Sequence, residues 1–286
     1  MARRLVVVVA GATGHVGSEV TSALVARGHV VRALSRRGMA SEGATGVVGD
    51  LGDRAGVAPA WREADAVFLP AGYPDVPGLL ADMRAAGVGR VVVLSTGAVV
   101  GGDLDNAVTR SNVVTEAAVR DSGMSWTVLR PSGFMSNTLA WVDALRDGDV
   151  VVEPFADVPV AVIDPADIGE VAAVALTEPG HDGRSHRLTG PEALLPADRL
   201  AVLGDLLGRD LRLEPEPDDA ARARMVATTP AEVVDAFFRF FRGGEYDDSG
   251  TTPTVERILG RPPRTFREWA SRCLHTYNQP RRLKTR

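Results

Sequence analysis

An α/β fold built on a doubly wound parallel sheet is what this sequence predicts, and three observations carry the prediction. Valine-rich apolar runs alternate with longer amphipathic stretches through the first 130 residues, as in repeated strand–helix units whose strands are buried on both faces. The glycine run Gly11-Ala12-Thr13-Gly14-His15-Val16-Gly17 closes the first apolar run and opens the first amphipathic one, which makes the sheet Rossmann-type. The rhythm then breaks after Arg130, where inserted material begins and leads to a smaller, mainly helical C-terminal region.

Taken in order, the apolar runs predict strands over residues 5–10, 30–34, 46–49, 66–70, 90–95 and 126–130, with helices between them. In the first helix Val16, Val20 and Leu24 recur at four-residue spacing beside Ala23, a stripe suited to packing on a sheet, and Gly28 marks its end. Beyond Arg130 the pattern predicts a helix over 133–147, a strand over 158–163 and a helix over 165–176 opened by Asp164. Prolines and acids over 214–219 read as an exposed connection, and the basic tail over 281–286 as a disordered end. The organisation expected is a dinucleotide-binding core over 1–132, an inserted substrate-region segment over 133–160, a return to the core over 161–192 and a substrate-binding cap over 193–286. Phe237, Phe238, Phe240 and Phe241 crowd one helix of that cap. They read either as core or as the wall of a site for a flat aromatic ligand.

Composition narrows the chemistry. The single cysteine, Cys273, excludes an internal disulfide framework and a multi-cysteine metal site, and fits a reducing, cytoplasmic setting. Arg3 and Arg4 precede an apolar run too short for a signal-peptide core, and no stretch nears the roughly 18 apolar residues of a membrane span. With 32 basic and 37 acidic residues the net charge is −5, so neither nucleic acid nor a membrane surface is an expected partner. Lys284 is the only lysine. The five histidines, at 15, 29, 181, 186 and 275, lack the spacing of a metal site, and no Gly-x-Ser-x-Gly elbow supports a hydrolase.

The glycine run carries the strongest functional signal. Gly11 permits the tight turn, Gly14 lets backbone approach a pyrophosphate, and Gly17 brings helix and strand together. Thr13, His15 and Val16 lie in the same cradle, where the helix start offers free N–H groups to an anion. Cofactor choice is read at the end of the second strand, where an acid grips the ribose 2′-hydroxyl of NAD and arginine accommodates the 2′-phosphate of NADP. Here stand Ser35, Arg36 and Arg37, with no acid between Glu19 and Glu42, so NADP(H) is the expected cofactor. Asp50 and Leu51, after the third strand, either flank the adenine or serve the helix that follows.

Together with Ser95-Thr96, the segment 116–137, Leu188-Thr189-Gly190-Pro191 and Leu259-Gly260-Arg261-Pro262-Pro263, these residues resemble the atypical short-chain dehydrogenase/reductase family, in the branch of NmrA and the small NADPH:quinone reductases. The resemblance spans nearly the whole chain. It implies that Ala71 and Gly72, with Ser95 and Thr96, border the nicotinamide, and that Pro131 and Phe134 close over it. It also implies a Tyr-x-x-x-Lys proton relay, yet the corresponding positions hold Val108 and Asn112, and the tyrosines are only Tyr73, Tyr246 and Tyr277. A hydride delivered to a ketone creates an alkoxide that must be stabilised and protonated. Ser95 is the candidate donor, its alternative role being to close the strand end; Ser111, Asn112, Asn137 and Tyr246 are weaker candidates. A phenolic hydroxyl on the substrate itself is a further proton source.

Two functional readings follow. One is an NADPH-dependent ketoreductase acting on a polycyclic aromatic ketone or quinone, similar to the tailoring reductases of angucyclinone-type antibiotic polyketides, working as a monomer or homodimer. The other is a non-catalytic NADP sensor similar to NmrA. NADPH consumption separates them.

Overall fold

Strand β1 (Val6–Ala10) is an unbroken apolar run because both of its faces are covered: Val7, Val8 and Val9 are fully buried. Residues 3–101 and 103–278 are described by the structure, a computed structural model. Around β1 lie β2 (Val30–Ser35), β3 (Thr45–Val48), β4 (Ala66–Pro70), β5 (Arg90–Leu94) and β6 (Ser125–Pro131), all parallel. After β7 (Val150–Glu153), which lies elsewhere, β8 (Arg184–Leu188) completes a seven-stranded sheet of order β3-β2-β1-β4-β5-β6-β8. The order reverses on either side of β1, and open sheets of this kind bind ligands outside the carboxyl ends of their strands at the reversal.

The helices follow the alternation of the strands. From α2 (Arg54–Val57), α3 (Val76–Ala85) and α4 (Ala107–Asp121), the residues Val57, Leu79, Met83 and Val119 join Val8, Val67 and Val91 in one apolar cluster. Val7 and Val9 point to the opposite face, where α1 (His15–Ala26) packs on α6 (Pro165–Thr177), α5 (Val142–Asp147) belonging to the inserted stretch between. Gly169 makes the α1–α6 contact possible, since a Cβ there would lie 2.7 Å from a Glu19 backbone carbon.

The chain divides into two units. The first runs to Pro131 and takes up Pro165–Leu188 and Pro253–Pro262; the second comprises Ser132–Asp164, Thr189–Thr252 and the chain from Pro263 on. The sequence alone assigns everything beyond 193 to a cap, but α10 (Thr254–Leu259) returns to the first unit. Its anchor is Arg261, whose Nη2 donates to Asp167 and Glu170 of α6 at 2.8 Å each. Asp167 is fully buried, which gives this surface arginine a fixed partner.

Within the second unit, β7 pairs in parallel with β9 (Arg212–Pro215), and α7 (Pro196–Leu207) and α11 (Phe266–Tyr277) bury Leu200, Leu203, Phe266 and Trp269 against Trp141 and Leu145. Between them in the chain come α8 (Asp218–Val226) and α9 (Ala231–Phe241). Of the phenylalanines of α9, Phe238 and Phe240 are buried as core and Phe237 and Phe241 are half-buried: Phe238 and Phe241 meet Phe155 at ring distances of 5.0 and 5.1 Å, and Phe240 lies beside Tyr246.

Several elements differ from expectation. The helix expected over 133–147 is a 3₁₀ helix, Met135–Trp141, followed by α5. No strand forms over 158–163; only isolated bridges join Phe134 to Ile163 and Val160 to Leu194, because Ser132 Oγ and Gly133 take up the backbone groups of Ala161 and Ile163 locally. Strand β8, Arg-Ser-His-Arg-Leu, escapes a hydrophobicity pattern because it is the sheet edge and needs an apolar residue only at Leu188. The exposed connection expected over 214–219 is instead the end of β9 and the start of α8. Among the described residues no helix is long and apolar enough to cross a membrane, and the basic tail with Lys284 lies outside them.

Candidate dinucleotide and active site

The glycine run forms the turn that leaves β1. Gly11 adopts a φ of +67°, open to glycine at little cost, and Gly14 N–H closes the turn on Gly11 O at 2.9 Å. Gly17, in the first turn of α1, approaches so closely that a Cβ would lie 2.2 Å from Gly11 O. Ala12 N–H donates to Leu34 O at 3.2 Å, tying the turn to β2. Thr13, Gly14 and His15 are exposed, Val16 is buried, and no side chain caps the start of α1, whose first turn holds no acid. A helix of 12 residues thus presents uncapped N–H groups beside a turn in which Gly11 and Gly14 carry no side chain, which fits a pyrophosphate.

At the carboxyl end of β2, buried Ser35 holds the next turn, its Oγ accepting from Met39 N–H at 3.1 Å and its carbonyl from Gly38 and Gly49 N–H. Arg36 and Arg37 project from that turn into solvent, and among the described residues neither has an ion-pair or hydrogen-bond partner. Asp50 is exposed and closes a turn by accepting from Gly52 N–H at 2.8 Å, while Asp53 caps α2 by accepting from Gly56 N–H at 3.1 Å. Leu51 is buried in the core of the first unit. Beside them Tyr73 is partly buried, its hydroxyl pKa raised first by burial and then by the Asp50 charge, against the opposing influence of Arg36.

At the ends of the next strands, Ala71 N–H donates to Leu94 O at 3.0 Å and Gly72, with a φ of +95°, lies exposed. Ser95 is buried, and its hydroxyl donates to Glu116 Oε1 at 2.7 Å. That carboxylate, fully buried on α4, also accepts from Arg130 Nε at 2.9 Å, from Arg130 Nη2 at 2.6 Å and from Arg120 Nη2 at 2.6 Å. Burial pushes the Glu116 carboxyl up, but the hydrogen bonds from Arg130 and Ser95, with the arginine charges, outweigh it and hold the group below the usual range. The Ser95 proton is therefore committed to a structural carboxylate that sequence inspection missed, because a lone Glu in a helix gives no sign of burial. Thr96 Oγ1 accepts from Ala98 N–H at 3.3 Å.

Val108 and Asn112 sit one turn apart on α4, and Asn112 Nδ2 donates back to Val108 O at 2.9 Å, as does Ser111 Oγ at 3.1 Å. Of the tyrosines, Tyr277 is buried in the second unit against Thr138 Oγ1 at 3.1 Å, its pKa pushed to about 12 mainly by burial. Tyr246 Oη donates to Asp248 Oδ1 at 2.7 Å, and Asp248 Oδ2 accepts from Gly133 N–H at 2.9 Å. Pro131 ends β6 in the first unit and Phe134, in the second, makes the bridge to Ile163. Wholly within the second unit, a cavity of about 140 Å³ is walled by Val158, Val160, Val162 and Phe241, with Asn137, Glu153, Arg199 and Asp248 as its polar lining. No cluster of metal-ligating side chains occurs among the described residues.

Known proteins bear on this geometry. A family profile described as NAD(P)H-binding matches residues 11–179. A (4-alkanoyl-5-oxo-2,5-dihydrofuran-3-yl)methyl phosphate reductase of Streptomyces griseus is 42% identical over 93% of this chain and 96% of its own. An NAD(P)H azoreductase of Xenophilus azovorans is 32% identical over 92% of this chain and 96% of its own. Among solved structures, an NADPH-dependent quinone oxidoreductase of Escherichia coli in complex with NADPH superposes with a TM-score of 0.75 at 22% identity, covering 94% of this chain and 100% of that one.

Proposed function

Since the chain belongs to the NAD(P)H-binding family, in the NmrA-like branch of the atypical short-chain dehydrogenase/reductases, and is an NAD(P)H-dependent reductase, we propose that its acceptor is an electron-poor conjugated double bond and its cofactor NADPH. The observation that carries the acceptor class is the pair Val108 and Asn112: where the family resemblance puts a proton relay, α4 offers an aliphatic side chain and an amide bonded to its own helix. Ser95 supplies no substitute while its proton is held by Glu116.

When bound, the dinucleotide supplies a hydride. The resulting charge decides what the protein must provide. Reduction of an isolated ketone leaves a localised alkoxide, which calls for an acid beside it. Addition to the β-carbon of an unsaturated lactone, or to a quinone or azo group, leaves an anion spread over a conjugated system, which water can protonate. The 42% relative is named for a furanone whose ring double bond is conjugated to carbonyls, and the 32% relative for azo reduction. The polycyclic aromatic substrate of the sequence reading is retained in its quinone form, with antibiotic biosynthesis as its setting and the reducing cytoplasm as its place. The chain's own contribution is to hold the dinucleotide by the β1 turn, to shape the site and to exclude competing reactions.

The test is NADPH oxidation across a panel matched for size. A butenolide bearing an acyl group, a naphthoquinone and an azo dye are expected to be reduced at least about a hundredfold faster than an isolated cyclic ketone. Equal rates on the isolated ketone would overturn the acceptor class, and tight NADP(H) binding without any turnover would restore the sensor reading.

Arg36 and Arg37 support NADPH, being exposed guanidiniums just past the end of β2 with no partner to surrender among the described residues. Replacing both with alanine is expected to raise the KM for NADPH roughly 10- to 100-fold, the worth of one or two charge-assisted hydrogen bonds, with the KM for NADH changing less than about threefold. Parallel steady-state titrations with the two coenzymes check this.

A further inference from the structure

The cavity of the second unit holds a charge that has no ion-pair partner among the described residues. Arg199 on α7 is only 8% exposed, yet among the described residues its one side-chain hydrogen bond is a long one, 3.4 Å from Nε to Leu195 O, and its guanidinium lies over Trp141 at 5.7 Å. Arg199 lines the cavity, and its Nη groups have no acceptor among the described residues. A guanidinium does not shed its proton to escape burial, so in a largely apolar cavity it calls for an anion or water.

The acids nearby act on it through their charge alone: Glu153 and Asp198 raise its pKa against the larger lowering by burial, and neither forms an ion pair with it. Glu153 shares the cavity but forms no ion pair with Arg199; its Oε2 accepts from Trp141 Nε1 at 2.7 Å, and burial raises its pKa against the lowering by that hydrogen bond and by the Arg199 charge. Asp248 is engaged on both oxygens by Tyr246 and Gly133, and Asp198 accepts from Leu195 N–H at the exposed start of α7. The remaining walls, Val158, Val160, Val162 and Phe241, are apolar.

We propose that this cavity is a specificity subsite for an anionic oxyacid group, a phosphate monoester or a carboxylate, carried by the reducible substrate, with Arg199 as its forked counter-ion and the valine and Phe241 walls taking the adjoining carbon skeleton. The inference rests on the conjugated-acceptor reading above. The planar fork of a guanidinium matches two oxygens of such a group, which a lone carbonyl cannot offer. At about 140 Å³ the cavity suits a small charged head with a few carbons rather than a whole polycycle.

The full-length protein with NADPH is to be given three butenolides that differ only at one hydroxymethyl substituent: the free alcohol, its phosphate ester and the corresponding carboxylate. The wild type is expected to favour one of the anions over the alcohol by about 10- to 100-fold in kcat/KM, and the better of the two identifies the group. Arg199→Gln should bring that ratio to within about threefold of unity, and Arg199→Lys, which keeps the charge without the fork, should retain part of it. A wild type indifferent to charge, or a ratio that survives Arg199→Gln, overturns the subsite. Should none of the three be reduced, the reductase reading fails on its own and calorimetry of the phosphate ester decides the subsite: binding lost in Arg199→Gln supports it, and no binding to the wild type overturns it.

Discussion

Gly17→Ala is expected to abolish measurable dinucleotide binding. A methyl group at this position would stand 2.2 Å from Gly11 O and 2.7 Å from Gly11 C, both backbone atoms that cannot swing aside. Relief requires α1 to retreat from the β1 turn, which opens the cradle and also unseats Val16 and Val20 from the core. Overpacking of this kind costs about 1–3 kcal/mol or more in stability. Binding suffers further, because the uncapped N–H groups of α1 no longer converge on one point. Calorimetric titration with NADPH should show affinity weakened by at least about a hundredfold; binding within about threefold of the wild type would mean that the turn is not the pyrophosphate cradle.

Glu116→Ala is expected to be the most destabilising single change in the first unit. It removes the common acceptor of Ser95, Arg120 and Arg130, leaving a buried hydroxyl unsatisfied and Arg130, itself only 20% exposed, without a counter-ion. Breaking a buried pair from one side costs about 3–5 kcal/mol. For a chain of this size the loss lowers Tm by roughly 10 °C, readable in a thermal melt. Unchanged Tm with lost turnover would instead make Glu116 a participant in the chemistry. Since the carboxyl is held below its ordinary pKa, it is ionised in the native state at neutral pH, and its contribution is present above the unfolded value and lost as pH falls through the depressed one.

The sheet and the turn were legible in the sequence because their causes are local. Consecutive valines in β1 report burial on both faces, and Gly11, Gly14 and Gly17 report a backbone path that other residues obstruct. The position of Arg36 and Arg37 just past the end of β2 was legible for a similar reason, since the strand that precedes them is marked by its own apolar run. What stayed hidden depends on residues far apart in the chain. Strand β8 carries one buried residue and four that face outwards or sit half-covered, so nothing in its composition marks it as part of the central sheet. Glu116 and Arg130 become a pair only when α4 packs beside β6, and Arg199 reads as an ordinary helix arginine until Trp141, Val160 and Phe241 enclose it. Leu51, read as flanking the adenine or serving the following helix, is core because the turn that Asp50 closes directs it inwards.

The course of the chain limits how this architecture can be recombined. The polypeptide passes from one unit to the other at residues 131, 164, 188, 252 and 262. A chimera that borrowed a relative's second unit would need a splice at every passage, and a truncation anywhere before residue 261 would take the arginine that clasps Asp167 and so loosen a helix of the first unit. The properties of the second unit are therefore changed more readily by single replacements within it than by exchange of modules.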